Sequence, residues 1–212
     1  MILIADSGST KTDWCLIVDN VIIGSYKTQG INPFHQSRDT IMHVVEKELM
    51  PMLDTKNIDA LYFYGSGCTN ETSIIVRDVI TSLLSDVKEV EVNGDLLGAA
   101  RALCGKKEGI ACILGTGANS CLYDGEKVIK NTPPLGYILG DEGSGAVLGK
   151  RFFNLMFKGG LSSEICNAYL ESEQMTMADV IRRVYREPMA NRFLASTSLF
   201  IHENLACEQL ND

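Results

Sequence analysis

Residues 6–12 read Asp-Ser-Gly-Ser-Thr-Lys-Thr and separate two apolar stretches, residues 2–5 and 14–18. Backbone N–H groups freed by a glycine turn, together with hydroxyls and an amine, suit phosphate oxygens. A carboxylate at the entrance, Asp6, suits Mg²⁺, which prefers oxygen ligands and keeps several waters. The strand–turn–strand setting excludes the P-loop, whose glycine-rich loop leads into a helix. An ordinary polar hairpin explains this first turn, taken alone, about equally well.

A second glycine turn, residues 115–119, follows the apolar residues 110–114. Its glycines would let the backbone approach an anion without a Cβ in the way. Alone, it is better explained as a β-turn with structural glycines. The elements around the two turns, however, follow the same order: a strand, the polar Gly/Ser/Thr turn, a second strand, a tight turn and a third strand. This order predicts an internal repeat, in which two facing lobes would place both turns on one cleft bridged by a nucleotide.

The elements around the first turn alternate in a way that predicts an α/β fold. A meander of three antiparallel strands is followed by helices and strands in the order βββαβαβα, which predicts a mixed sheet flanked by helices, the ribonuclease-H-like arrangement. Apolar periodicity and turn residues place the elements. The predicted strands are residues 2–6, 13–19, 21–28, 60–64 and 87–92, and the predicted helices are residues 37–50, 70–84 and a segment from 95 onward.

The pattern begins again after a polar linker near residue 106, which divides the chain into lobes 1–105 and 106–212. The second lobe repeats the three-stranded opening at residues 110–114, 120–123 and 128–129. Beyond residue 160 only helical patterns follow. No later strands match those of the first lobe, so the second lobe is expected to be incomplete.

The composition of the chain argues against several classes of function. The 212 residues carry 19 Lys and Arg against 27 Asp and Glu, a net charge of −8. An acidic chain argues against nucleic-acid or anionic-membrane binding, which needs clustered Lys and Arg. With no transmembrane stretch and no signal peptide, the expected location is cytoplasmic. Seven dispersed cysteines without a C-x-x-C pattern predict reduced, mostly buried thiols, Cys112 and Cys121 among them.

Three motifs, at residues 6–12, 114–119 and 136–144, together resemble the BadF/BadG/BcrA/BcrD ATPase family. The likeness is strongest to its N-acetylglucosamine kinase branch, within the superfamily of sugar kinases, actin and heat-shock chaperones. It implies actin-like ATPase lobes and transfer of a phosphoryl group from ATP, with Mg²⁺, to the 6-hydroxyl of an amino sugar, N-acetylglucosamine. Family members are longer and carry a glycine-containing adenosine motif near the C-terminus. Residues 161–212 contain no glycine, so a fragment with weak ATP affinity is expected.

The resemblance also implies roles for single residues. Asp95 matches the catalytic aspartate that accepts the hydroxyl proton, although a helix N-cap is the commoner role of Asp at such a place. Asn32 matches an asparagine that contacts the sugar. The alternative interpretation is that Asn32 is an ordinary turn residue before proline. Asp141 matches a sugar contact or caps the following helix. The implied phosphate-binding residues are Gly8, Ser9, Thr10, Lys11, Gly115, Thr116 and Gly117, with Asp6 on Mg²⁺; the implied sugar-binding residues are Asn32, Ser66, Gly67, Asn119 and Asp141.

Two other functions stay open on the sequence. Some relatives in this family are ATPases that activate a dehydratase or reductase partner and hold an iron–sulfur cluster through cysteines. A non-catalytic sugar-binding protein could also keep the fold. The expected partner is a small-molecule sugar, with no nucleic acid and no membrane, and a homodimer is left open.

Overall fold

A five-stranded mixed sheet of order β3-β2-β1-β4-β5 organises the first half of the chain in the computed structural model, which describes residues 1–53 and 57–210. Three antiparallel strands form a meander, and the next two run parallel to the first. The predicted mixed sheet is therefore confirmed. Its strands are β1 (Ile2–Ser7), β2 (Lys11–Val18), β3 (Val21–Gln29), β4 (Ala60–Gly65) and β5 (Glu89–Gly94).

Three helices accompany this sheet. They are α1 (Arg38–Val44), which continues through a π-helical turn at Val45–Leu49 and a 3₁₀ turn at Met50–Met52, then α2 (Ser73–Leu83) and α3 (Asp95–Cys104). Helix α2 begins three residues later than predicted because hydroxyl bonds hold the preceding segment in a turn. The Thr69 N–H donates to Thr72 Oγ1 at 2.8 Å, and that hydroxyl donates to the carbonyl of Gly67 at 2.6 Å.

The core of this part of the chain lies against one face of the sheet. Alternate strand residues Leu3, Ala5 and Phe63 are fully buried together with Ile41 of α1 and Val76 of α2. This follows from the period of two in the strands and the helical spacing of apolar residues in α1 and α2.

The second half of the chain contains a three-stranded sheet of order β6-β7-β8, followed by helices. Between residues 161 and 210 the structure contains helices and turns, as predicted. The elements are β6 (Gly109–Leu114), β7 (Ala118–Tyr123), β8 (Val128–Thr132), α4 (Gly136–Leu139), α5 (Gly145–Phe157), α6 (Ser163–Ser172), α7 (Met177–Tyr185), α8 (Ala190–Glu203) and a final 3₁₀ turn at Glu208–Leu210.

Contacts group the chain into two compact units. The first unit contains residues 1–111 and 121–131, and the second contains residues 112–120 together with the chain from residue 132 onward. The division into lobes 1–105 and 106–212 stays a prediction. None of the helices in the described part of the chain has the length and apolar character that a membrane crossing requires.

The prediction for two cysteines is half right. Cys121 is buried, but Cys112 is exposed. Strand β6 alternates, so Cys112 points to the face opposite its buried neighbour Ala111. Strand assignment alone could not tell which of the two faces is covered.

Helices α5 and α8 of the second unit pack unusually closely, because glycines leave room for the neighbouring backbone. A Cβ placed on Gly149 would lie 2.6 Å from the carbonyl carbon of Leu194 and 2.7 Å from Thr197 Oγ1. One turn earlier, a Cβ on Gly145 would lie 2.9 Å from Ser198 Oγ. The two glycines, four residues apart, form the stripe of α5 on which α8 rests.

We expect Gly149→Ala to lower the free energy of unfolding by about 1–3 kcal/mol, because the added methyl group meets backbone that cannot yield. The higher helix propensity of alanine offsets less than this. Urea unfolding measures the change. Gly115→Ala is the control, since a Cβ at Gly115 has no atom within 4 Å. Equal stability of both variants would contradict the prediction.

Candidate functional site

The carboxyl ends of β1, β4 and β5 meet at one edge of the five-stranded sheet. Ser7 pairs with Gly65, and Gly65 pairs with Gly94. The segments that follow these strands are therefore neighbours, and this edge is where open α/β sheets bind ligands. The first turn, Ser66 and Asp95 all follow one of these three strand ends.

The first turn is a closed hairpin with an exposed tip. The Gly8 N–H donates to the carbonyl of Lys11 at 2.9 Å, and Gly8 and Thr10 are exposed. Beneath the tip, the buried hydroxyls of Ser7 and Thr12 lie 2.7 Å apart. These two hydroxyls hold the strands together, so Gly8, Ser9, Thr10 and Lys11 are the residues left to face a ligand.

Gly30 positions this turn, a role that was not predicted from the sequence. Its N–H donates to the carbonyl of Thr10 at 3.1 Å. A Cβ on Gly30 would lie 2.7 Å from the carbonyl carbon of Ser9 and 2.8 Å from the backbone nitrogen of Thr10. The segment after β3 therefore rests directly on the backbone of the turn. A glycine just beyond a strand was the only sequence signal, and it did not indicate which backbone lies opposite.

Charged groups surround the first turn. Lys11 Nζ lies 2.6 Å from Asp13 Oδ2, so the predicted phosphate-binding lysine is paired with a carboxylate. Burial raises the pKa of Asp6, the negative charge of Asp13 raises it further, and the charge of Lys11 partly offsets both. The surroundings of Asp6 therefore disfavour its negative charge and would favour a bound cation.

Asp95 is the first residue of α3, whose N-cap is Gly94, so the alternative that Asp95 caps the helix is wrong. The Leu96 N–H donates to Asp95 Oδ1 at 2.8 Å. Burial raises the pKa of Asp95, and the charge of Asp6 raises it further. The sheet register places the two residues at the same edge, because Asp6 pairs with Tyr64 and Tyr64 pairs with Asn93, two residues before Asp95.

A polar network attaches α3 to the sheet. Arg101 Nη1 donates to the Tyr64 hydroxyl at 2.8 Å and lies 3.0 Å from Glu91 Oε1. A Cβ on Gly98 would lie 2.7 Å from Cγ of the Tyr64 ring, so the helix sits close on β4. The network fixes the helix that carries Asp95, and its members come from three separate elements that local sequence patterns cannot connect.

Asn32 and Gly67, two predicted sugar contacts, touch each other. A Cβ on Gly67 would lie 2.8 Å from Asn32 Cγ, and Gly67 has a φ of +76°. Asn32 is buried, and its Oδ1 accepts the Phe34 N–H at 3.0 Å, so it also has the turn role that was its alternative. The neighbouring Ser66 donates its N–H to the carbonyl of Ser7 at 2.8 Å.

The second turn, in the second unit, is held by the start of α5. The Gly115 N–H donates to the carbonyl of Gly117 at 2.9 Å. The first N–H groups of α5, from Gly145 and Ala146, donate to the carbonyls of Gly115 and Thr116 at 2.8 and 3.2 Å. The carbonyls of this turn therefore satisfy donors that a helix N-terminus leaves unpaired.

Asp141 supports the second turn from the other side. It is buried with a φ of +58°, and a Cβ on Gly117 would lie 2.9 Å from its Oδ2. Burial raises its pKa, which the N–H of Ala118 partly offsets. Asp141 does not cap α5, because the cap is Ser144, whose Oγ accepts the Val147 N–H at 3.2 Å.

Asn119, the remaining predicted sugar contact, accepts the Ser120 N–H on its Oδ1 at 2.9 Å. It belongs to the second unit together with the second turn and Asp141. The expectation that the first and second turns face one cleft stays a prediction.

The carboxylate oxygens of Asp6 are ligands of the kind that Mg²⁺ binds. Within residues 1–53 and 57–210, no group of three or more His, Cys, Asp or Glu side chains could hold a metal ion. An all-protein metal cage is therefore absent from the described residues. A site with one or two carboxylates is the kind that Mg²⁺ uses when phosphate oxygens and waters complete its shell.

Comparisons with known proteins connect these observations to a family. No protein-family model matches the chain, and a search of curated proteins gives no match either. Among solved structures, a protein of Porphyromonas gingivalis described as a "putative N-acetylglucosamine kinase" is 50% identical, with a TM-score of 0.97; the match covers 100% of this chain and 75% of that one.

More distant structures share the fold. A protein of Chromobacterium violaceum described in the same words is 19% identical, with a TM-score of 0.72, and the match covers 99% of this chain and 76% of that one. A Listeria monocytogenes protein described as a "putative N-acetylmannosamine kinase" is 14% identical, with a TM-score of 0.53, over 92% of this chain and 74% of that one. The predicted actin-like ATPase fold, with its mixed sheet flanked by helices, is confirmed.

Proposed function

Because this chain belongs to the same family as the Porphyromonas gingivalis protein, we propose that it is a sugar kinase that transfers the terminal phosphoryl group of ATP to an amino sugar. The observation that carries the proposal is the placement of Asp6 and Asp95 at the ends of strands that belong to one sheet edge, next to an exposed hydroxyl-bearing turn. Phosphoryl transfer needs positioned groups and charge neutralisation more than covalent chemistry by the protein.

In this proposal Asp95 accepts the proton of the attacking sugar hydroxyl. The role needs a carboxylate within reach of the hydroxyl and with a pKa closer to neutrality than that of a free Asp. Burial and the charge of Asp6 both act in that direction. The anchoring of α3 through Arg101 keeps the carboxylate in place.

ATP and Mg²⁺ are the proposed cofactors. Gly8, Ser9, Thr10 and Lys11 of the first turn would hold phosphate oxygens. Asp6 would hold Mg²⁺, which when bound neutralises charge on the phosphates. Lys11 must exchange its partner Asp13 for a phosphate oxygen, which is feasible because the pair is solvent-exposed and therefore weak. From the second turn, Thr116 and Gly117 would add backbone N–H groups, while Gly115, whose N–H donates to the carbonyl of Gly117, would let the backbone approach the phosphate without a side chain in the way.

The finer assignment is also a proposal: the N-acetylglucosamine kinase branch of the BadF/BadG/BcrA/BcrD family, with the 6-hydroxyl of N-acetylglucosamine as acceptor. The support is the 50% identity to the Porphyromonas gingivalis protein over the whole chain. Asn32, Ser66, Gly67, Asn119 and Asp141 are the proposed sugar contacts. The first three lie at the same sheet edge as Asp95.

The test is release of ADP by the purified protein at millimolar ATP and Mg²⁺ with a panel of N-acetylglucosamine, N-acetylmannosamine, glucosamine and glucose. We expect sugar-dependent ADP release, highest with N-acetylglucosamine, and a 6-phosphate product by mass spectrometry and NMR. ADP release that no sugar increases would contradict the proposal.

A further inference from the structure

Phe34 is an exposed aromatic residue on a loop that is held by several hydrogen bonds. Its side chain is 69% exposed, whereas Asn32, two residues earlier, is 7% exposed. Single exposed apolar residues are common and by themselves need no explanation. Here the loop is fixed in place, and it lies among the proposed sugar contacts.

Hydrogen bonds to Asn32 fix the loop. Its Oδ1 accepts the Phe34 N–H at 3.0 Å, and its carbonyl accepts the N–H groups of His35 and Gln36 at 3.1 and 3.0 Å. Gln36 closes the loop, because its Oε1 accepts the Asn32 N–H at 2.7 Å and its Nε2 donates to the carbonyl of Gly30 at 2.9 Å. The ring is thus presented on a backbone with little freedom left to lose on binding.

A second ring supports the first from the side. The His35 imidazole meets the phenyl ring of Phe34 edge-on, with ring centroids 5.0 Å apart and planes at 89°. This arrangement is a favourable one for two aromatic rings. It restrains the orientation of the phenyl ring while much of its surface stays exposed to solvent.

Phe34 lies next to the sheet edge that carries the proposed acceptor site. A Cβ on Gly67 would lie 3.1 Å from the Cβ of Phe34. Gly67 follows β4, whose end pairs with the ends of β1 and β5, and β5 leads directly into Asp95. The exposed Phe34 side chain therefore starts beside Gly67 and Asn32, two of the residues assigned to the sugar.

We propose, on the basis of the kinase function proposed above, that Phe34 stacks against the apolar C–H face of the acceptor's pyranose ring and determines the affinity for the sugar. Small-molecule sites combine apolar and aromatic surface with a few polar groups that fix orientation. Asn32 supplies a polar group, and Phe34 supplies the flat apolar surface that matches a pyranose ring.

The test compares Phe34→Ala, Phe34→Tyr and the wild type in steady-state kinetics and in calorimetric titration with N-acetylglucosamine and glucose. We expect Phe34→Ala to raise the KM and the Kd for both sugars about tenfold or more. Its kcat and its KM for ATP stay near the wild-type values, because a contact made equally in ground and transition states affects binding only. Phe34→Tyr keeps the ring and should restore affinity. Ile74→Ala is the control, since Ile74 is an exposed apolar residue on α2.

Each outcome of this experiment either supports or overturns the stacking of Phe34 on the sugar. Unchanged sugar affinity in Phe34→Ala overturns the stacking, as does a loss confined to the acetylated sugar, which would place the acetyl methyl group on the ring. A wild type that binds sugar without phosphorylating it, and loses binding in Phe34→Ala, supports the stacking and contradicts the kinase function. A wild type that neither binds nor phosphorylates any sugar contradicts both.

Discussion

Asp95→Asn is expected to lower kcat for sugar phosphorylation by a factor of about 10²–10⁴, because the amide cannot accept the hydroxyl proton in the transition state. Sugar and ATP affinities should change little, since asparagine has nearly the same shape and its Oδ1 can still accept the Leu96 N–H. Steady-state kinetics with the best sugar of the panel measures the loss. Asp39→Asn, which also removes an acidic residue from the first turn of a helix, is the matched control.

The pH dependence gives an independent check on Asp95. A base must be ionised, so kcat/KM of the wild type should fall as the pH drops through the pKa of Asp95. Burial and the charge of Asp6 hold this pKa above the ordinary value of 3.8. The acid limb of the profile should therefore lie above the range of a free aspartate and be absent from the residual activity of Asp95→Asn. A limb that persists in the variant would assign it to another group.

Stability separates a catalytic role of Asp95 from a structural one. A carboxyl group with a raised folded-state pKa contributes most to stability below its unfolded-state pKa, and the contribution is lost as the pH rises through the folded-state pKa. At neutral pH the ionised Asp95 is therefore unfavourable, and Asp95→Asn should unfold at an equal or higher urea concentration. The difference should shrink toward pH 3. A variant that loses stability at neutral pH would contradict this assignment.

Gly30→Ala is expected to lower the free energy of unfolding by about 3 kcal/mol, the upper part of the range for overpacking. The added methyl group would meet the carbonyl oxygen of Gly8 and the backbone of Ser9 and Thr10. Backbone atoms of a closed hairpin cannot rotate away as a side chain can. For a chain of this size, the melting temperature should fall by about 6–12 °C. Urea and thermal unfolding measure the change.

The control for Gly30→Ala lies in the same turn. A Cβ on Gly8 would have only an ordinary contact, 3.8 Å from the carbonyl of Lys11, and Gly8 does not have a positive φ. Gly8→Ala should therefore leave stability within about 0.5 kcal/mol of the wild type, as for most surface substitutions. If the turn binds phosphate through its backbone, Gly8→Ala should still raise the KM for ATP. Similar stability of the two variants would contradict the packing of Gly30 on the turn.

Much of the fold was predictable because its signals are local. Alternation in strands β1 and β2 and the helical spacing of Ile41 and Val44 reflect which side of each element faces the core. The three-stranded meander followed by crossover units leaves few topologies, and the observed element order, βββαβαβα from β1 to α3, agrees with the prediction. Element boundaries were less predictable, as at α2, where hydroxyl bonds of Thr69 and Thr72 delay the helix.

The features of the candidate site also fall into two groups, those that local sequence predicts and those that only tertiary contacts determine. The residue types of the first turn and the position of Asp95 after a strand can be read from the sequence, because each depends on a few neighbouring residues. The tertiary structure alone decided that Gly30 lies on the turn, that Gly67 touches Asn32, that Asp141 lies against Gly117 and that Cys112 is exposed. These contacts join residues that are distant in sequence or depend on which face another element covers. Local spacing determines which chemical groups follow each strand, and only the packing of separate elements determines what each group touches.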